Sequence, residues 1–287
     1  MTSSEKPCRS ALFLPASNAR AIDKVRGLPC DALILDLEDA VAPEAKEAAR
    51  SAAVAAFSAG GFGARLRVLR VNAIDSDWGA DDLAAAAALD IDAVLVPKVS
   101  TGTDIARYDA ALTAASRDVA LWAMIETCRA VAALQAIADM APSTRLGAFV
   151  VGTNDLALEM RVRPMPNRVN LLPVLTLAVA AARSRGLRVL DGVRNDFVDL
   201  AAFSAEAEQG AALGFDGKSL IHPAQIAPCN AAFSPSADDL ARARSIVAAF
   251  GAPDAAGRGA VRLDGRMVER LHLREAERVL AMAARIG

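Results

Sequence analysis

Eight short apolar runs alternate with Ala-rich amphipathic segments between residues 10 and 220, and few folds accommodate such an alternation. The runs are Ser10–Leu14, Ala32–Asp36, Arg67–Val71, Ala93–Val96, Ala120–Ile125, Leu146–Val151, Arg188–Leu190 and Phe215–Leu220. Most are apolar almost throughout, the pattern of strands buried on both faces. Helical segments separate them at Pro43–Phe57, Asp81–Ala88, Thr103–Ala115, Arg129–Met140, Leu172–Arg185 and Phe197–Leu213. Repeated strand–helix units build a parallel sheet under helical cover. Eight of them close into a (β/α)8 TIM barrel more readily than they fill an open doubly wound sheet. An open Rossmann-like sheet would also carry a glycine fingerprint after its first strand, and LFLPASN has no GxGxxG.

The barrel accounts for residues 1–227. Beyond it, Pro228, Pro235 and Pro253 with Gly251, Gly257 and Gly259 leave one helix, Ala237–Phe250, a Gly-rich turn, and a last helix, Met267–Ile286. Residues 228–287 are too few for an independent core, so they are expected to form a C-terminal helical extension that packs on the barrel or reaches a neighbouring subunit. The segment Val162–Asn170, with Pro164 and Pro166, reads as an ordered loop over the barrel mouth.

Composition narrows the function. Hydrophobic residues make up 54% of the chain and aromatics only 4%, so Ala, Val and Leu must build the core. A net charge of −2 marks no surface for nucleic acid or anionic membrane. The cysteines Cys8, Cys30, Cys128 and Cys229 lie far apart with no CxxC pair, which argues against a zinc site or a disulfide scaffold. Asp, Arg or Gly interrupts every long apolar stretch, so neither a membrane span nor a signal-type leader is expected. A cytoplasmic enzyme acting on small molecules fits these bounds.

In such barrels the chemistry gathers at the C-terminal ends of the strands. Those ends read Pro15-Ala16-Ser17-Asn18, Asp36-Leu37-Glu38-Asp39, Arg70-Val71-Asn72, Pro97-Lys98, Glu126-Thr127, Gly152-Thr153-Asn154-Asp155, Asp191-Gly192 and Lys218–His222. Nearly all are polar or charged. Glu126 and Asp155 each follow an apolar strand and precede a helical segment. A carboxylate there is costly unless it is paired or coordinated. Two of them from consecutive βα units point into one mouth, where a hard divalent cation can hold both. The alternative is that Glu126 pairs with an arginine and Asp155 caps a helix.

The segments RSALFLPASN, LDLEDAVAPEAK, LRVN, VPKV, IETCRAV, VGTNDLA, GFDGKSLIHPAQI and FSPSADDLARA occur in that order. Together they resemble the citrate lyase β-subunit family, which includes malyl-CoA, citramalyl-CoA and other β-hydroxyacyl-CoA lyases. The resemblance runs from Arg9 to the final helix. It implies a magnesium-dependent carbon–carbon lyase that splits or forms a β-hydroxyacyl-CoA thioester, with an acyl-CoA and a 2-oxo acid as the other partners. It makes Glu126 and Asp155 the ligands of magnesium (or manganese), and Arg70 the clamp on the acid's carboxylate; a salt bridge from Arg70 to a rim acid such as Glu38 is the alternative. Asp36, Glu38 and Asp39 would orient Arg70 and the metal's waters. Lys98 would sit among these acids, and Gly152 would let backbone approach the ligand. Arg9, Ser17, Asn18 and Lys24 fall where the family holds the CoA nucleotide, although Lys24 also reads as a solvated helix lysine. His222 reads as structural or CoA-adjacent.

Lyase relatives carry a catalytic aspartate in a DG[KR]MID-like segment of the extension, delivered to a neighbouring chain in a trimer or hexamer. Here that stretch is Asp264-Gly-Arg-Met-Val-Glu269, with glutamate in the aspartate's place. Glu269 is the expected base, or else a glutamate favourable to a helix dipole. Two other functions remain open: a citrate lyase β-subunit acting on an acyl-carrier thioester, and a CoA-independent, metal-dependent pyruvate aldolase. The aldolases usually place a histidine base near the first helix, and the only histidines are His222 and His272. A thioesterase would keep the same metal and acid base and use water as the nucleophile.

Overall fold

The alternation closes on itself. The computed structural model describes residues 6–113, 119–163, 165–252, 255 and 257–286, and they divide into two compact units, Met1–Phe233 and Ser234–Gly287. In the first, strands β1 (Ser10–Pro15), β2 (Ala32–Asp36), β3 (Leu66–Arg70), β4 (Ala93–Val96), β5 (Ala120–Ile125), β6 (Leu146–Val151), β7 (Arg188–Asp191) and β8 (Gly217–Leu220) pair in chain order. β8 then pairs with β1, and every pairing is parallel. The expected (β/α)8 barrel is present.

Helices α1 (Ala19–Val25), α2 (Lys46–Ala59), α3 (Gly79–Ala88), α4 (Gly102–Thr113), α5 (Cys128–Ala132), α6 (Leu134–Ala138), α7 (Thr153–Glu159), α8 (Leu172–Ser184), α9 (Leu200–Leu213) and α10 (Ile226–Ala232) connect and follow the strands. The expected helix Arg129–Met140 is two helices, broken at Ala133 (φ −113°, ψ 10°). The segment expected as Phe197–Leu213 begins at Leu200, where the Asp199 side chain accepts from Ala202 N–H. Residues 114 and 115 of the expected helix Thr103–Ala115, and Pro164 and Pro253, lie outside the described residues.

Each strand is buried on both faces because the barrel has two cores. Ala11, Ile34, Val68, Leu95, Met124, Val150 and Leu190 fill the interior. The residues between them, such as Leu12, Leu33, Leu35, Leu69, Val94 and Phe149, pack outward against the helices. Strand register then sets the site. Pro15 pairs with Asp36, Asp36 with Arg70, and Arg70 with Leu95, so Asp36 and Arg70 lie side by side at the rim.

The second unit holds α11 (Ala237–Gly251), an antiparallel hairpin of β9 (Ala260–Leu263) and β10 (Arg266–Glu269), and α12 (Arg270–Ile286). Ser236 and Asp239 cap α11 reciprocally. Met267, Val268 and Glu269, expected in the last helix, stand in β10. Asp264 and Gly265 both take positive φ, 50° and 76°, the two-residue turn that Asp-Gly favours in hairpins. Ala243, Ile246, Val268 and Ala276 form a small core of its own.

Candidate active site

Asp36 ends β2 and spends its carboxylate three ways. Its oxygens accept from Glu38 N–H (2.8 Å) and Ala40 N–H (3.1 Å), which shapes the loop, and from the Arg70 fork at 2.6 and 2.7 Å. Lys46, buried on α2, donates to the carbonyls of Leu37 and Glu38 and fixes the same loop from behind. Arg70 Nη1 lies 2.6 Å from Glu38 Oε2, an ion pair whose angle falls short of a hydrogen bond, and 3.4 Å from Asp39. The guanidinium also sits over the Phe13 ring, 5.0 Å from its centre. Burial works against the Arg70 charge, but Asp36, Glu38 and Asp39 more than offset it. Burial pushes Glu38 up to about 7 despite Arg70. The salt bridge to Glu38 raised as an alternative therefore exists, alongside a bidentate one to Asp36. Both hold the guanidinium plane at the mouth.

On the facing wall, Glu126 stands just after β5 and is 1% exposed. Asp155 stands in the first turn of α7. Neither takes the alternative role weighed above: among the described residues Glu126 pairs with a lysine, not an arginine, and Asp155 caps nothing. Lys98 Nζ lies 2.5 Å from Asp155 Oδ2 and 3.4 Å from Glu126 Oε1, and Lys98 N–H donates to Glu126 at 2.8 Å. This aim uses a strained backbone, since Lys98 is a non-glycine residue at φ 55°. Burial opposes the lysine's charge, and Asp155, Glu126 and Glu38 restore it. Burial pushes Glu126 up to about 8, against Lys98, while Asp155 stays below the ordinary range because Lys98 and Glu126 outweigh its own desolvation. The pair holds a cation between its two carboxylates.

A hard divalent ion fits this donor set. Among the described residues no three His, Cys, Asp or Glu side chains converge as a metal cage. An ion bound here would rest on two carboxylates and keep waters or substrate oxygens on its other faces, the habit of magnesium. Gly152 keeps the space open. A Cβ there would come within 2.5 Å of Glu126 Cβ and 2.7 Å of Glu126 Oε2.

Arg70, Asp36, Glu126, Gly152 and Asp155 line one cavity of about 300 Å³, together with Phe13, Met124, Val193, Asn195, Ser219 and Ile221. Ser17 and Asn18 follow β1 at the rim, exposed, and Asn18 caps α1 by accepting from Ala21 N–H. Lys24 is exposed in the last turn of α1. His222 Nδ1 accepts from Ala224 N–H, and its ring stacks on Phe197 at 4.5 Å. Arg9 requires a correction. It precedes β1, at the far end of that strand from Ser17. Its backbone N–H and guanidinium are engaged by Asp31 at 2.8 to 2.9 Å. It anchors the strand start and does not reach the mouth. Glu269 ends β10 in the second unit, its N–H donating to His272 Nδ1.

One group was given no role by the sequence. Lys218, 0% exposed, donates to Asp191 (2.9 Å), Glu206 (2.8 Å) and Gly192 O (2.5 Å). Arg168 donates to both Asp191 oxygens and to Gln209, and Arg194 to Glu206. Asp191 is fully buried, yet Lys218 and Arg168 keep its carboxyl below the ordinary range. This knot ties the 162–170 loop and the end of β7 to α9.

Comparison with known proteins bears on this site. Residues 9–223 match the HpcH/HpaI aldolase/citrate lyase family. A (3S)-malyl-CoA thioesterase of Cereibacter sphaeroides is 44% identical over 281 residues, 98% of this chain and 96% of that protein. An L-malyl-CoA/beta-methylmalyl-CoA lyase from the same organism is 33% identical over 308 residues, covering 98% and 96%. The crystal structure of protein CitE from Mycobacterium tuberculosis, in complex with magnesium, acetoacetate and coenzyme A, aligns with a TM-score of 0.77. It is 29% identical, over 98% of this chain and 99% of that one.

Proposed function

The chain belongs to the HpcH/HpaI aldolase/citrate lyase family, and from that premise we propose a magnesium-dependent enzyme of β-hydroxyacyl-CoA thioesters. Its substrate is a malyl-CoA-type ester, and its main reaction is hydrolysis of the thioester. The observation that carries the substrate class is the cavity itself: a locked guanidinium on one wall and a carboxylate pair on the other suit an acid with a hydroxyl next to its carboxylate. Hydrolysis rests on the thioesterase, 44% identical across nearly the whole chain.

Glu126 and Asp155 would hold the ion. When bound there, magnesium polarises the neighbouring hydroxyl and carboxylate oxygens. Asp36 keeps the Arg70 plane fixed so that its outer edge receives the substrate carboxylate. The Ser17–Lys24 stretch and the His222 face take the CoA portion. His222 Nδ1 accepts from a backbone N–H, and we assign proton transfer to Glu269, which stands in the segment where lyase relatives carry their aspartate. We place it in a neighbouring chain's mouth, within a trimer or hexamer. In hydrolysis water adds to the thioester carbon, the C–S bond breaks, and CoA leaves as the thiol with the free hydroxy acid.

The lyase with 33% identity favours a second reading, carbon–carbon cleavage at the same site. Mass spectrometry of a malyl-CoA incubation with magnesium separates the two. Malate and CoA are expected; glyoxylate and acetyl-CoA would make cleavage the main reaction; unchanged malyl-CoA would reject both.

Shared mouths predict complementation. Glu269→Gln chains and Asp155→Asn chains, each inactive, should regain part of the activity after subunit exchange, because some mouths then combine an intact ion site with an intact base. Exchange without recovery would exclude the shared site.

A further inference from the structure

Ser219 is 2% exposed, lines the cavity, and among the described residues its hydroxyl has no hydrogen-bond partner. Register explains its direction. Ser219 pairs with Ala11, and Leu190 with Gly217, so residues 217 and 219 of β8 face the interior with those neighbours. Lys218 between them faces outward into the charged knot. Leaving a buried hydroxyl unpaired is costly, and the cavity lining around it is mostly apolar, with Phe13, Val193 and Ile221 beside the one amide of Asn195.

Its place around the barrel says what it meets. β8 lies three strands from β3, which carries Arg70, and three in the other direction from β5, which precedes Glu126. The segments assigned above to CoA follow β1 and β8. A substrate gripped at Arg70 and the carboxylate pair must therefore run toward the β8 wall to join its CoA, and the thioester is the group at that junction. We propose that the Ser219 hydroxyl donates a hydrogen bond to the thioester carbonyl oxygen and is a catalytic residue. This assignment rests on the CoA-thioester reading. It does not depend on which reaction dominates. In hydrolysis the C=O π pair moves onto this oxygen as water adds, then returns as the C–S bond breaks. In carbon–carbon cleavage the same oxygen takes the enolate charge. A donor fixed beforehand at that point stabilises either transition state.

The test pairs kinetics with binding. Ser219→Ala removes one unpaired buried oxygen, so its melting temperature should match or exceed the parent's. Its kcat on malyl-CoA should fall on the order of 100-fold. Binding is read by calorimetry with a ketone analogue of acetyl-CoA, sulfur replaced by methylene, and with the same molecule lacking the carbonyl. The parent should prefer the ketone by about 5- to 10-fold, and Ser219→Ala should not distinguish them. An equal preference in both proteins would overturn the role of Ser219 alone. A parent that binds neither analogue would overturn the CoA-thioester reading, and this assignment with it.

Discussion

Glu126→Gln and Asp155→Asn are each expected to lower malyl-CoA turnover on the order of 1,000-fold, equivalent to about 4 kcal/mol of transition-state stabilisation. Each substitution keeps size and shape but leaves one carboxylate for a strongly hydrated cation, which a single oxygen donor holds poorly. Calorimetry with magnesium alone should show the loss directly, while circular dichroism reports an intact barrel. Unreduced magnesium affinity in both variants would refute the ion site. The parent adds a pH signature. Burial holds Glu126 near 8 in the ion-free protein, and an ion must displace that proton, so magnesium affinity should rise from pH 6.5 to 8.5. Stability runs the other way. Between its ordinary value and about 8 the folded state keeps a proton that the unfolded chain has lost. Without the ion the protein should therefore lose stability as pH rises through that window. A flat melting temperature would mean that the pair titrates normally.

Lys218→Met is expected to destabilise the barrel unit by about 3–5 kcal/mol, a melting-temperature drop of roughly 10 °C for a unit of this size. Methionine fills nearly the same volume. It leaves Asp191 and Glu206 without the ammonium both share, although Arg168 and Arg194 still reach them. Adding Glu206→Gln removes one stranded charge and should recover part of the loss. A single variant that melts within about 2 °C of the parent would show that the knot contributes little to stability.

The barrel was readable because strands buried on both faces leave a distinctive trace: runs with no polar alternation, at regular spacing. That same trace hides direction. In Gly217-Lys218-Ser219 every residue is buried, so nothing in the local sequence tells which points inward. Ser219 turned out to face the cavity, and Lys218 the helices. Glu126 and Asp155 were legible because a carboxylate that follows an apolar strand demands a partner, and Lys98 is that partner in the folded chain. Arg9 misled for a geometric reason. It is close in sequence to Ser17, but the six residues of β1 lie between, roughly 20 Å of extended chain. Val268 looked helical beside α12, yet the Asp264-Gly265 turn folds it back against Val261.

The row in which Pro15, Asp36 and Arg70 pair acts as an error check on assembly. Side chains alternate across a strand, so a slip of β3 by one residue would turn Arg70 into the apolar layer occupied by Leu35 and Leu69. It would also strand the Asp36 charge inside the barrel. Misregistered barrels are thus penalised twice, by a buried cation and by a buried anion. The competition between registers is settled by the guanidinium proposed above to receive the substrate carboxylate and by the aspartate that fixes it, so a population of well-folded but miswired molecules should not accumulate.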